Sequence, residues 1–203
     1  MVAFAAQQLT GGQLTADWIM FPGVVWIQPW RLVTAAFLHG GVVHLALNMY
    51  ALWVVGGFVE QLVGRVRFAA LYLASAVGGH AAALIYFRLA DYTQAGAFSG
   101  TLGASGAVFG LFAACFVLSR KLGGDIRGIA SVIGLNLVFS FMVQGISWQG
   151  HVGGLLMGGA LAAVYAYAPP GRRRLYAWLG AAGAAVLLAA IVLLTASLPF
   201  YLF

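Results

Sequence analysis

Charged side chains are scarce in this chain. They make up 7% of its 203 residues, whereas 63% of the residues are hydrophobic and the mean hydropathy is +0.98. A composition this apolar excludes an ordinary water-soluble domain. Several runs between the charges approach or reach the roughly 20 apolar residues that a bilayer-spanning helix needs. Because backbone polar groups must be satisfied within lipid, and the runs lack strict alternation, we predict an all-α, polytopic membrane helix bundle.

The charge-poor runs predict about six membrane helices. They cover residues 41–59, 68–87, 101–119, 128–147, 149–168 and 175–198. We interpret the chain, 1–203, as a single membrane domain in which 1–40 is an outer loop region, 41–168 holds the core helices and 175–198 is an additional C-terminal helix. The apolar segment 1–9 is too short to span, and we expect it to be the remnant of a truncated first helix.

Acidic residues and cysteine are also rare, which excludes several kinds of site. The only glutamate, Glu60, is expected at a helix end and no HExxH motif occurs, so a zinc metalloprotease is excluded and we expect no metal and no cofactor. Asp17, Asp91 and Asp125 are expected in loops, so two facing intramembrane aspartates cannot form. Cys115 is the only cysteine, so no disulfide framework exists.

Basic residues collect in alternate loops and predict the orientation. The expected outer side keeps Arg31 and Arg88 and carries a belt of aromatic residues, namely Trp18, Trp26, Trp30, Tyr92 and Trp148. Because positive charge favours the cytoplasm, the other side is predicted to be cytoplasmic. The net charge of +6 is spread over short loops, so no nucleic-acid partner is expected. Eight of the ten basic residues lie in the cytoplasmic loops, namely Arg65, Arg67, Arg120, Lys121, Arg127, Arg172, Arg173 and Arg174.

Polar residues converge at one depth in this orientation. The spans beginning near residues 41, 101 and 149 all start at the outer side, so their first turns share one level. These turns contain His44 and Asn48, Ser105, and His151. Histidine at such a depth is functional by default. His39 and His80, at other positions, are expected to make local hydrogen bonds.

Glycine stripes predict close packing of two of these helices. Small residues recur every fourth position, at Gly106 and Gly110 and at Gly150, Gly154 and Gly158. Such packing could bring the His151 imidazole within about 3 Å of the Ser105 hydroxyl, the reach that proton transfer needs. The glycine-flanked serine taken alone is more typical of simple helix packing than of a catalytic site.

Five short motifs occur in a characteristic order. They are Trp30-Arg31, HLALN at 44–48, GGFVE at 56–60, GASG at 103–106 followed by Phe109-Gly110, and GHVGG at 150–154. Together they resemble the rhomboid intramembrane serine proteases over about residues 28–168. Two expected features depart from the usual six-helix arrangement. An additional helix follows the core, and the first helix is not seen at full length.

The resemblance implies roles for the converging residues. It implies that Ser105 is the nucleophile and that His151 is the general base and then acid. It also implies an oxyanion site formed by His44, Asn48 and the Ser105 backbone N–H. Three glycines would leave room for substrate backbone and for helix packing, namely Gly103, Gly106 and Gly154.

The resemblance further implies a substrate and a location. The substrates would be transmembrane proteins, cleaved near the outer face of the lipid bilayer. The protein would be a multi-pass integral membrane protein, which we expect in the inner membrane of a bacterium.

Two other functions remain open from the sequence. In a transporter or channel, the buried polar side chains would line a path across the membrane. A non-catalytic rhomboid-like protein would bind membrane helices without cutting them.

Overall fold

The computed structural model describes residues 1–89 and 98–196. Within these ranges the chain is helical and forms no strand, and one isolated antiparallel bridge pairs Met20 with Thr101. The predicted all-α fold is therefore confirmed. Asp91, Tyr92 and the end of the predicted 175–198 helix lie outside the described residues.

Each of the six predicted apolar segments contains a helix. By length and composition, α4, α5 and α9 are long and apolar enough to cross a membrane, and α7 is a shorter apolar helix. α3 continues into a 3₁₀ turn, and α4 contains a π turn. In chain order the helices of the described ranges are α1 (Val2–Leu9), α2 (Gln13–Trp18), α3 (Arg31–Thr34), α4 (Val42–Val63), α5 (Arg65–Leu89), α6 (Ser105–Lys121), α7 (Arg127–Met142), α8 (Trp148–Tyr167) and α9 (Arg173–Ala196).

Helix boundaries differ from the predicted ones where the backbone leaves helical geometry. The predicted 128–147 span ends at Met142, because Val143 is extended and Gly145 has a φ of +84°. α4 continues beyond residue 59, and Gly64, with a φ of +82°, ends it. Such left-handed glycines terminate helices because they have no Cβ to clash with the backbone.

The outer segment contains more helix than predicted. Asp17, which we expected in a loop, lies on α2, where its side chain is exposed. Pro22 and Pro29 fall between α2 and α3 and keep both helices short, because proline cannot donate the backbone hydrogen bond of a helix interior.

A buried arginine holds this outer segment together. Arg31 is 9% exposed and donates from one guanidinium nitrogen to the backbone carbonyls of Ala16 and Ile19, each at 2.7 Å. These contacts satisfy two carbonyl groups, one in the last turn of α2 and one at the residue after it, that lack a helical partner. The irregular backbone is thereby tied to α3.

The helix that begins at Ser105 lies at the centre of the bundle. All residues of α6 from Gly106 to Ala114 are buried, so that every face of this stretch is covered. α5 and α8 pack against it and against each other. The centre is therefore a group of three helices.

Glycines allow these three helices to touch through their backbones. A Cβ at Gly154 on α8 would overlap the backbone of Gly106 on α6, and one at Gly79 on α5 would lie 2.7 Å from the Gly150 carbonyl oxygen. A Cβ at Gly158 would overlap the backbone of Gly110. The predicted glycine stripes therefore do form the interface between α6 and α8.

We expect Gly158→Ala to destabilise the bundle, because the added methyl group has no space and the neighbouring atoms are backbone. Overpacking of this kind costs about 1–3 kcal/mol. The free energy of unfolding, measured by denaturant titration in detergent micelles, should fall by that amount. Gly134→Ala on α7 is the matched control, since a Cβ there meets nothing within 4 Å. Equal stability of the two variants would contradict the packing argument.

Candidate active site

Backbone hydrogen bonds with the outer segment, residues 1–40, hold the loop before α6 in place. Thr101 and Met20 exchange two backbone hydrogen bonds of 2.9 and 3.1 Å, and the Gly103 N–H donates to the Ala35 carbonyl at 2.9 Å. Ser105 follows as the first residue of α6 and is partly exposed. The position of its hydroxyl therefore depends on residues far earlier in the chain.

Gly103 lies close to both the Ser105 hydroxyl and the ring of His44. A Cβ at Gly103 would lie 2.8 Å from His44 Cε1, 3.1 Å from His44 Nε2 and 3.7 Å from Ser105 Oγ. The φ of Gly103 is +123°, a conformation that residues with a side chain rarely adopt. Both the space and the backbone therefore require glycine at this position.

The hydrogen bonds of His44 determine which ring nitrogen carries its proton. The Gly40 backbone N–H donates to His44 Nδ1 at 3.2 Å, so Nδ1 is an acceptor. A neutral imidazole then carries its hydrogen on Nε2, the nitrogen beside Gly103. One turn later, Asn48 is 5% exposed and donates from Nδ2 to the His44 carbonyl at 2.8 Å.

His151 lies on α8 and packs onto α6. Its ring stacks on Phe109, with 4.2 Å between centroids and an interplanar angle of 14°. Phe109 is one turn beyond Ser105, so the imidazole lies on the face of α6 that begins at the serine. Ser140 Oγ is 2.6 Å from His151 Nδ1. No hydrogen bond joins Ser105 to His151 in the part of the chain that the structure describes.

The four residues predicted to converge thus lie on three helices that meet near the start of α6. His44 and Ser105 flank Gly103, and the α8 backbone around Gly150 and Gly154 contacts α6 at Gly106. This is the arrangement that the common depth of the first turns predicted.

Comparison with known proteins identifies the family. The Rhomboid domain family model matches residues 27–168. The chain belongs to the rhomboid family. With its several long apolar helices, it is a multi-pass membrane protein.

Curated relatives carry rhomboid names. "Rhomboid protease GluP" of Bacillus subtilis (strain 168) is 38% identical over 137 residues, which are 64% of this chain and 24% of that protein. "Putative rhomboid protease YdcA" of the same organism is 31% identical over 134 residues, 64% of this chain and 63% of the relative. "RHOMBOID-like protein 4" of Arabidopsis thaliana is 31% identical over 158 residues, 74% and 36% of the two chains. The rhomboid chain described here spans less than two thirds of each.

The family match agrees with the extent of the predicted resemblance, residues 28–168. α1, α2 and α9 lie outside the matched residues. That the chain forms one membrane domain stays a prediction.

His80 makes the local hydrogen bond that we predicted. Its Nδ1 lies 3.3 Å from Thr101 Oγ1, and its Nε2 is buried with no partner among the described residues. The His80 side chain lines a small cavity that Gly103, Ser105 and Gly150 also line. His80 therefore lies next to the loop that precedes Ser105.

The prediction for His39 was wrong. Within the described ranges neither of its ring nitrogens has a hydrogen-bond partner, although both are buried. Its backbone is bonded instead, since its N–H donates to Gln7 Oε1 at 2.9 Å and its carbonyl accepts from Gln7 Nε2 at 3.3 Å. The ring packs edge-on against Phe4 and His44.

Three contact residues of the site were not assigned a role from the sequence. Gln7 attaches α1 to the backbone before α4, Phe109 supports the His151 ring, and Ser140 contacts its Nδ1. An amide or a hydroxyl inside an apolar run is the signal that could have identified Gln7 and Ser140.

The stability of the protein should fall with acid because of His39, which lies outside the membrane-spanning helices. Burial, with the neighbouring His44 charge, lowers the pKa of His39 to about 4. In the unfolded chain a histidine pKa is about 6.5. Between these values the unfolded chain binds a proton that the folded chain does not, so the contribution of His39 to stability is lost as the pH falls through this window.

His39→Phe should reduce this acid sensitivity, since phenylalanine preserves the ring contacts and has no group that protonates. Unfolding free energies of the variant and the wild type, measured at neutral pH and at the lower end of the window, give the comparison. An identical loss of stability in both proteins would show that other groups cause the acid effect.

Proposed function

We propose that this rhomboid chain is an intramembrane serine endopeptidase that uses Ser105 and His151 as a catalytic dyad. The observation that carries the proposal is the stacking of the His151 ring on Phe109, one turn from Ser105, across a glycine-lined helix contact. Relatives named as rhomboid proteases support it. The activity is a proposal, because the chain spans only part of those relatives.

The reaction is an acyl transfer in two steps. Ser105 Oγ attacks the carbonyl carbon of the peptide bond while His151 Nε2 takes the hydroxyl proton. His151 then gives that proton to the leaving amine as the C–N bond breaks. Water, activated by the same imidazole, attacks the acyl-enzyme and releases the new carboxylate.

In the proposed mechanism three donors stabilise the oxyanion. The His44 Nε2–H is available because Nδ1 accepts from Gly40, and it lies across Gly103 from the nucleophile. Asn48 keeps one amide hydrogen beyond the one that it donates to the His44 carbonyl. The Ser105 backbone N–H, in the first turn of α6, has no partner within the helix and is the third donor.

The three glycines of the proposal, Gly103, Gly106 and Gly154, act in two ways. Gly103 leaves open the space between His44 and Ser105, where a side chain would collide with the imidazole. Gly106 and Gly154 bring the α6 and α8 backbones together and so set the distance between the two catalytic side chains. We expect a substrate backbone to approach through the opening at Gly103.

The depth of the site suits a membrane-embedded substrate. Ser105 and His151 lie near the ends of α6 and α8 that the positive-inside rule assigns to the outer face. Water must reach the acyl-enzyme there, whereas the surrounding lipid and helices keep the oxyanion contacts strong. The substrates would therefore be transmembrane segments cut near the outer face of the bilayer, and we expect a bacterial inner membrane.

Replacement of either dyad residue should abolish cleavage. Purified protein incubated with a single-pass transmembrane substrate should yield two fragments on a gel, and Ser105→Ala and His151→Ala should each yield none. Ser119→Ala is the matched control, because Ser119 is on the same helix at the cytoplasmic end. This control should cleave at the wild-type rate.

Other outcomes identify the alternative functions. Cleavage that persists in either dyad variant would exclude the proposed mechanism. Failure of the folded wild type to cleave or to react with a fluorophosphonate probe would indicate a non-catalytic rhomboid. Solute flux through vesicles that survives Ser105→Ala would indicate a transporter.

The oxyanion role of His44 predicts a selective effect on turnover. An oxyanion donor is worth about 10²–10³ in kcat, so His44→Ala should lower kcat by that factor while KM changes little. Tyr50→Phe on the same helix is the control, since Tyr50 is exposed. Labelling of Ser105 by the probe at the wild-type rate in His44→Ala would contradict this role.

A further inference from the structure

α7 contributes a single buried side chain to the bundle, and that side chain contacts the dyad. Ser140 is the only buried residue of this helix, which lies wholly within the described ranges, and it is 2% exposed. The other α7 residues are exposed or half-buried. A buried hydroxyl on a largely exposed apolar helix requires a hydrogen-bonding reason.

Ser140 Oγ has two close partners. It lies 2.6 Å from the Asn136 backbone carbonyl oxygen and 2.6 Å from His151 Nδ1. A carbonyl oxygen can only accept, so the first contact needs the hydroxyl hydrogen. Serine commonly donates to the carbonyl four residues earlier in a helix.

The second contact then needs a hydrogen from the histidine. A hydroxyl has one hydrogen, and Ser140 donates it to the Asn136 backbone carbonyl. Ser140 Oγ can therefore only accept a hydrogen bond from the imidazole. His151 Nδ1 must therefore be protonated. In the neutral ring the other nitrogen, Nε2, carries a lone pair.

We propose that Ser140 is a positioning residue that holds His151 in the tautomer with hydrogen on Nδ1, so that Nε2 is free to take the Ser105 proton. The inference rests on the proposed function of His151 as the general base. Phe109 fixes the plane of the ring by stacking, and Ser140 fixes its rotation and its tautomer. The two contacts together define where the Nε2 lone pair points.

The Ser140 hydroxyl orients the His151 imidazole without carrying a charge. During the reaction His151 gains the Ser105 proton on Nε2 and keeps the Nδ1 hydrogen, which stays donated to Ser140 Oγ. When Nε2 passes its proton to the leaving amine, the ring returns to its starting tautomer. A carboxylate partner in a triad would also stabilise the imidazolium, whereas Ser140 orients it only.

Kinetics of three variants test the positioning role. Ser140→Ala removes the acceptor and should lower kcat about 10- to 100-fold, by analogy with the loss of groups that orient metal-binding histidines. KM should change little, because no substrate contact is lost. Ser140→Thr retains the hydroxyl and should recover most of the activity. Ser131→Ala, an exposed serine on the same helix, is the matched control and should behave as wild type.

The tautomer of His151 can be measured without an activity assay. In ¹⁵N-histidine-labelled protein at mildly alkaline pH, with the His151 signals assigned by comparison with His151→Gln, wild-type Nδ1 should carry the hydrogen. Ser140→Ala should move the equilibrium towards hydrogen on Nε2, and Ser140→Thr should not. A thermal melt of each variant establishes that it is folded.

The kinetic and NMR measurements distinguish a failure of the Ser140 role from a failure of the proposed function. Hydrogen on Nε2 in the wild type, or an unchanged tautomer in folded Ser140→Ala, overturns the role of Ser140 whatever the activity. A wild type that has the expected tautomer but neither cleaves nor reacts with the probe leaves the Ser140 contact supported and refutes the proposed function. Full turnover in Ser140→Ala also overturns the positioning role.

Discussion

The approach of the α6 and α8 backbones at paired glycines is the constraint on which the site depends. Lipid supplies no hydrophobic force between helices, so their association relies on close van der Waals contact and on hydrogen bonds. At Gly106 and Gly154 the two backbones touch without intervening side chains. This contact fixes α8 against α6 at the turn that carries His151, and the Phe109 ring then sets the imidazole plane. Any side chain inserted there would move the histidine relative to Ser105.

The polar contacts around this centre satisfy backbone that would otherwise be costly in an apolar protein. Arg31 bonds the carbonyls of Ala16 and Ile19 at the end of α2, and Gln7 bonds both backbone groups of His39. Irregular backbone at membrane depth is tolerated only where protein buries and satisfies it. These few polar side chains therefore bond backbone groups of the outer segment that would otherwise lack a partner.

Much of the fold could be predicted because the length of the uncharged apolar segments is the strongest signal in the sequence of a membrane protein. The six segments follow from it, and the positive-inside pattern places Ser105, His44 and His151 at one depth before any contact is known. Helix ends were less predictable, since the end of α7 depends on the backbone of Val143 and Gly145 rather than on hydropathy. A hydroxyl in an apolar run marks Ser140, but its contact with His151 was not predictable, because that contact is with another helix and depends on how α7 is rotated. His39 was predicted wrongly for a similar reason, since its ring packs against Phe4 and His44 while Gln7 bonds only its backbone.

The bonds from Met20 and Ala35 to the loop before α6 also bear on biosynthesis. Both residues precede the loop in the chain, so a ribosome delivers them to the membrane before Thr101 and Gly103 emerge. Both partners of the loop before Ser105 have therefore been synthesised when that loop arrives. α8 follows later in the chain, so under the proposed mechanism Ser105 has no general base until His151 has been synthesised.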